Sequence, residues 1–185
     1  MLLSARREEI ASLRWSSEVD LEAALIILPS GRTKGGREHE IPLSGPALEI
    51  LKALSRRMNS DGTPRDFVFG GGRGGFQGWS KSKRELDARI LAARQRAMKS
   101  GMPPWTLHDF RRSFSTTAHE RLGIQPHIVE ACLGHATFKS GVAGVYNKAI
   151  YRVDKRRALE TWAEHLMAII EDRENKIIPL RLESA

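Results

Sequence analysis

One stretch of the 185-residue chain, residues 105–147, restricts what the remainder can build. Its most demanding part is Thr106-Leu107-His108-Asp109-Phe110-Arg111. Thr106 with Asp109 three residues later reads as a helix N-cap with a reciprocal acidic partner. The spacing predicts a helix over 106–122, with Phe110, Phe114 and Ala118 on one face and Gly123 as its stop. His108 and Arg111 then share a face at the positive end of that helix. Leu133-Gly134-His135 and Tyr146 follow. An imidazole and a guanidinium on one face, then a second imidazole and a phenol, suit phosphate chemistry.

The charge balance agrees. A formal net charge of +8 and a pI near 10.1 favour a polyanionic partner, nucleic acid ahead of a membrane surface. The single cysteine, Cys132, excludes an internal disulfide and a cysteine-based zinc site, and its apolar surroundings predict a buried thiol. No segment has the roughly 18 apolar residues of a membrane span, and the start lacks the pattern of a signal peptide. A cytoplasmic protein is expected.

Along the chain, Leu2, Leu3, Ile10 and Leu13 read as one face of an uncapped opening helix. Residues 23–28 and 38–43 read as the strands of a β-hairpin, with a basic tip that carries Lys34. A helix is predicted from Ser44 through Met58, with Leu48, Leu51 and Leu54 on its buried side. The glycine-rich run 70–78 reads as a flexible loop. A long basic helix should follow over 80–100, turning Leu86, Ile90 and Leu91 to the core. Pro126 opens a short helix that ends at Leu133-Gly134, Val142 and Val145 indicate another that carries Tyr146, and residues 156–173 form an amphipathic helix. In that last helix Leu159, Trp162, Leu166, Ile169 and Ile170 share one side.

The candidate polar groups are therefore Arg6, Lys34, His108, Arg111, His135 and Tyr146. Taken singly, each has a structural alternative, such as a cap histidine at 108, a surface charge at 111 or a core aromatic at 146. No aspartate cluster indicates a magnesium-dependent site. His39, His108 and His135 lack the spacing of a zinc enzyme, and no nucleophile elbow marks a serine triad. Phosphoryl transfer driven by positive charge remains.

At this point the chain resembles a family. Leu3-Ser4-Ala5-Arg6-Arg7-Glu8-Glu9-Ile10-Ala11-Ser12-Leu13-Arg14-Trp15 is similar to the first arginine box of the tyrosine recombinases. Thr33-Lys34 followed by Ile41-Pro42-Leu43 resembles that family's hairpin lysine and the strand after it. His108-Asp109-Phe110-Arg111-Arg112 resembles its H-x-x-R box, Leu133-Gly134-His135 its third box, and Val142-Ala143-Gly144-Val145-Tyr146-Asn147 its nucleophile segment. The wording around Tyr146 is similar to integrases of temperate and satellite phages and genomic islands.

The resemblance implies a mainly α fold with a small antiparallel β-sheet, the catalytic-domain fold of the DNA breaking-rejoining type. It implies a catalytic domain over 1–174, N-terminally truncated and without the core-binding domain, followed by a tail over 175–185. It implies that Tyr146 attacks a DNA phosphate to form a 3′-phosphotyrosyl link, and that His108 accepts the phenolic proton. Arg6 and Arg111 would hold the non-bridging oxygens, His135 would add a hydrogen bond to the phosphate, and Lys34 would protonate the leaving 5′-oxygen. Glu9 would orient the site. Neither metal nor other cofactor is implied. Arg32, Arg37, Lys81, Lys83, Arg112 and Lys139 are candidate DNA contacts. The implied partners are double-stranded attachment-site DNA and, on DNA, three further copies in a tetramer; alone, the domain is expected as a monomer. The implied location is the nucleoid of a bacterium. The family usually has glycine where Ser4 stands, so a local change is expected there. The rival readings are a type IB-like topoisomerase, against which the segment around Tyr146 argues, and an inactive remnant that only binds DNA or a partner recombinase.

Overall fold

The computed structural model describes residues 1–135 and 150–173. The Val142–Val145 helix reading, Tyr146, Lys139 and the tail lie outside them. Three short strands, β1 (Val19–Asp20), β2 (Leu25–Leu28) and β3 (His39–Pro42), form one antiparallel sheet in the order β1-β2-β3. Ile26 faces Ile41 and Leu28 faces His39 across the β2–β3 pair. The predicted hairpin is present, with β1 added on its outer edge. Helices make up most of the rest: α1 (Arg7–Ala11), α2 (Gly45–Ala53), α3 (Trp79–Arg96), α4 (Asp109–Glu120), α5 (Pro126–Leu133) and α6 (Arg152–Ile170). The architecture is mainly α with a small antiparallel sheet, as expected.

Helix α6 is the spine. It packs on β3, α5, α2 and α4, and its Leu159 and Trp162 are almost fully buried. Phe114 of α4, wholly buried, meets the Trp162 ring edge-on at a centroid distance of 5.5 Å. Such a pair adds geometric selectivity to a large burial term. Trp162 Nε1 donates to the Met1 carbonyl at 3.2 Å, which fixes the segment leading into Arg6. Ile26, Leu28, Ile41 and Leu13 complete the core between sheet and helices. Cys132 lies in it, 1% exposed, and burial pushes its thiol up to about 12.

Several boundaries differ from the sequence reading, each for a local reason. The opening helix starts at Arg7, not Leu2, because Ser4 takes a left-handed conformation with φ of 48° that no right-handed helix can include. Helix α2 stops at Ala53, short of Met58, as Leu54 turns extended and Met58 pairs with Pro64 instead. Helix α4 begins at Asp109. Thr106 N–H and Oγ both donate to Asp109 Oδ2, at 2.7 and 2.8 Å, which closes a turn ahead of the helix rather than its first turn. Helix α3 buries none of its residues, so Leu86 and Leu91 stay 37% and 46% exposed and reach no core. Its basic residues surround a stripe too thin to bury. In α6, Ile169 and Ile170 lie on the exposed last turn, 64% and 71% accessible.

The glycine-rich run is a docked loop and not a loose one. The buried Arg65 guanidinium donates to the carbonyls of Gly72 and Gly74. A Cβ on Gly75 would fall 2.6 Å from Ser12 Cα, so only glycine lets the loop lie against α1.

Arg32, at the hairpin tip, turns inward. Its guanidinium donates to Glu18 Oε1 at 2.7 Å, Ser12 Oγ at 2.8 Å and the Glu9 carbonyl at 3.0 Å. Glu18 is 3% exposed, so this pair is the counter-charge for a buried carboxylate. Arg32→Ala should lower the unfolding free energy by about 1–3 kcal/mol in urea titrations, since it leaves that carboxylate without its cation. An unchanged urea midpoint would mark Arg32 as an idle surface cation.

Candidate functional site

A single guanidinium gathers three distant parts of the chain. Arg111, in the first turn of α4, is 7% exposed. Its Nη1 donates to the Ser4 carbonyl, and its Nη2 donates to the Leu133 carbonyl at 2.9 Å while facing His135 Nε2 at 3.2 Å. The left-handed turn at Ser4 aims that first carbonyl, and Ser4 Oγ anchors the turn by donating to the Cys132 carbonyl at 3.3 Å. A positive φ explains why glycine is common at this point in the family that the sequence resembles. Here a tethered serine accepts the strain.

Arg6 stands just before α1 and is held by one carboxylate. Glu9 Oε2 accepts the Arg6 backbone N–H at 2.9 Å, and Glu9 Oε1 accepts Arg6 Nη1 at 3.0 Å. Glu9 itself is 4% exposed. The reciprocal spacing of a helix start thus also points a guanidinium. Burial, with the nearby Arg6 charge, lowers Arg111 to about 10, against the opposing charges of Glu9 and Glu130. It remains a cation at neutral pH. Two guanidiniums close together, one of them dry, make a place where an anion is favoured.

His135 owes its position to the end of α5. Gly134, with φ of 64°, turns the chain back, so that its N–H reaches the Ala131 carbonyl and that of His135 reaches the Glu130 carbonyl. These two bonds form a Schellman motif. A Cβ on Gly134 would sit 3.1 Å from the His39 ring, so a larger residue would press on that ring as well as strain the backbone. The same turn lays the His135 ring over Glu130, with Nδ1 at 2.8 Å from Glu130 Oε2.

A cavity of about 240 Å³ opens between Arg6, the hairpin tip at Thr33, Gly35 and Arg37, and Gly134-His135. Lys34 is exposed between two of those lining residues. His108 is exposed at the mouth of α4, and its carbonyl accepts the Arg111 N–H at 3.0 Å. Arg6, Arg111 and His135 therefore meet, with Glu9 behind Arg6; Lys34 and His108 stand at the rim of their elements, and Tyr146 is outside the described residues. Among the expected DNA contacts, Arg37 lines the cavity. Arg112 is exposed and paired with Asp109 at 3.0 Å, and Lys81 lies 3.9 Å from Glu85. Lys83 sits over the Trp105 ring, 3.9 Å from its centroid. A larger cavity, about 460 Å³, is formed by Arg57 and the docked glycine loop and contains none of the candidate catalytic residues. Among the described residues no group of three or more His, Cys, Asp or Glu could hold a metal ion.

Sequence reasoning missed Glu130, His39 and Lys155. Glu130 carried a signal, since a helix ending in glycine brings the residue after it back over the last turn. Lys155, 3% exposed, donates to the Glu40 carbonyl across the α6–β3 contact, which only the fold could reveal.

The model of the Phage integrase family matches residues 3–151. Prophage integrase IntA of Escherichia coli strain K12 is 30% identical over 91% of this chain and 37% of its own length. Prophage integrase IntZ of the same strain is 30% identical over 97% of this chain and 40% of its own. Tyrosine recombinase XerA of Pyrococcus furiosus is 28% identical over 73% of this chain and 43% of its own. The chain thus spans about two fifths of the length of these relatives. No solved structure matches it.

The packing of His39 sets a pH dependence. Burial first, then the charge of Lys155, with smaller contributions from Arg111 and Arg6, lowers this imidazole to about 4, while a hydrogen bond to the Cys132 backbone opposes the change. Its ordinary value is 6.5, so the unfolded chain binds the extra proton across the window from 6.5 to about 4. Stability is therefore lost as pH falls through that window. His39→Gln should flatten the decline of the unfolding free energy over it, measured by urea titration, by up to about 3 kcal/mol.

Proposed function

The chain belongs to the phage integrase family, and on that premise we propose that it breaks and rejoins double-stranded DNA through a 3′-phosphotyrosyl intermediate in site-specific recombination. The observation that carries this reading is the meeting of Arg111 and His135 with Arg6, which lies more than 100 positions away in the sequence, where Arg6 and His135 line one cavity. A phosphodiester in the attack geometry acquires charge on its non-bridging oxygens, and fixed guanidiniums are suited to that charge.

In the proposed reaction the Tyr146 phenolic oxygen attacks phosphorus. A phenol with pKa near 10 needs a proton acceptor, and His108 takes that proton. The bond between phosphorus and the 5′-oxygen breaks as the new P–O bond to tyrosine forms. Lys34 supplies the proton that leaves the 5′-hydroxyl neutral. Arg6 and Arg111 hold the two non-bridging oxygens, with Glu9 keeping the Arg6 fork in place and His135 standing beside Arg111. Rejoining reverses the steps with a different 5′-hydroxyl. The covalent link conserves the phosphodiester energy, so the protein groups suffice for the transfer. Arg37, Lys81, Lys83 and Arg112, with Lys139, are the proposed contacts to the flanking backbone, where cations displace condensed counterions. Recombination of two sites requires four such units, so assembly as a tetramer on DNA is part of the proposal.

Two measurements test this. Incubation with nicked suicide duplexes carrying attachment-site DNA should give a covalent protein–DNA adduct that Tyr146→Phe abolishes; absence of any adduct with cognate DNA would support a binding-only remnant. Lys34→Ala should cut single-turnover cleavage by about 10²–10⁴-fold. A 5′-bridging phosphorothiolate should restore most of that loss, because a thiolate leaves without a proton. Failure of the rescue would remove Lys34 from the general-acid role.

A further inference from the structure

Arg111, His135 and Glu130 form a relay in which every hydrogen has one allowed place. The Arg111 guanidinium has five N–H donors and no acceptor. His135 Nε2 lies 3.2 Å from Arg111 Nη2, so a hydrogen bond there requires Nε2 to carry a lone pair. At the other side of the ring, Nδ1 lies 2.8 Å from Glu130 Oε2. An ionised carboxylate only accepts, so Nδ1 must carry the hydrogen. Both ends demand the same tautomer.

The geometry points to Glu130 as a positioning residue that holds His135 in its Nδ1–H tautomer, so that Nε2 receives an Arg111 hydrogen and fixes the guanidinium. In the resting site His135 is thus an acceptor for Arg111. The family resemblance had given it as a hydrogen-bond donor to the phosphate. The Arg111 fork is bounded on three sides, by the Ser4 carbonyl, the Leu133 carbonyl and His135 Nε2. Two of these are backbone atoms. The third is a side chain that can rotate, and Glu130 is what stops it. Glu130 is suited to the task because the Schellman turn joins it twice to His135, through its carbonyl to the His135 N–H at 3.1 Å and through its carboxylate to the ring. A carboxylate that orients an imidazole and sets its tautomer is a recurring device in catalytic sites.

The tautomer follows from the contacts alone, whereas its consequence for strand cleavage rests on the reading given above. The test separates the two. Long-range proton–nitrogen correlation spectra of ¹⁵N-labelled protein, with His135 assigned by comparison with His135→Asn, report which ring nitrogen bears the hydrogen. Wild-type protein at neutral pH should show Nδ1 protonated and Nε2 bare. Glu130→Ala should shift His135 toward the Nε2–H form, and Glu130→Gln, which keeps an accepting oxygen, should retain much of the wild-type pattern. In single-turnover cleavage of a suicide duplex, Glu130→Ala should be slower by about 10–100-fold and Glu130→Gln should recover most of the loss.

A wild-type His135 protonated on Nε2, or a tautomer that Glu130→Ala leaves unchanged, would overturn the proposal, and the wild-type spectrum decides even where the alanine variant does not fold. A confirmed tautomer, with no adduct from the wild-type protein, would uphold the relay and reject the cleavage reading. A confirmed tautomer with wild-type cleavage rates in Glu130→Ala would reject the positioning role.

Discussion

The interactions of the Arg111 guanidinium are the constraint on which the site depends. It is buried, and a buried guanidinium must satisfy its donors or destabilise the fold. The chain meets that demand by bringing the Ser4 and Leu133 carbonyls to its two terminal nitrogens. The start of the chain and the end of α5 are thereby fixed against α4. Arg6 follows Ser4 by two residues and His135 follows Leu133 by two, so both arrive beside Arg111 as a consequence of that satisfaction. One side chain thus stabilises the packing and organises the chemistry.

Two left-handed residues make this convergence possible. Ser4 and Gly134 each reverse the chain shortly before a polar side chain of the site, Arg6 two residues on and His135 one. The two positions solve the same problem differently. Gly134 has no Cβ, which its φ favours and which spares the adjacent His39 ring a tight contact. Ser4 keeps its Cβ and offsets part of the strain with a buried hydroxyl bond. Each reversal lies at a helix boundary, where the backbone can change direction without losing many internal hydrogen bonds.

Legibility in the sequence followed the range of the interaction. The hairpin, the short helix opened by Pro126 and the buried face of Phe114 and Ala118 depend on local pattern and were readable. So was the grouping of Arg6, Arg111 and His135, although only through their boxes taken together. What escaped was tertiary. Arg32 looks like any cation on a hairpin tip until Glu18 and the Glu9 carbonyl lie beneath it. Helix α3 has apolar residues at plausible spacing, but the body offers no surface to cover them. Helix starts were displaced where a side chain closed a turn early, as Asp109 does with Thr106. Glu130 lay within reach of a local rule, and was missed because its partner sits just beyond the helix.

Helix α3 buries none of its 18 residues, and this has a consequence for how the protein can change. Substitutions at exposed positions of a helix usually alter stability by less than about 0.5 kcal/mol, provided that helix propensity is kept. The exposed residues along α3, such as Lys81, Arg84, Arg89 and Leu91, can therefore be exchanged almost freely without unfolding the domain. The residues around Arg111 have no such freedom. One molecule thus combines a centre with little room for change and a helix whose exposed positions can take new contact chemistry at little cost to the fold.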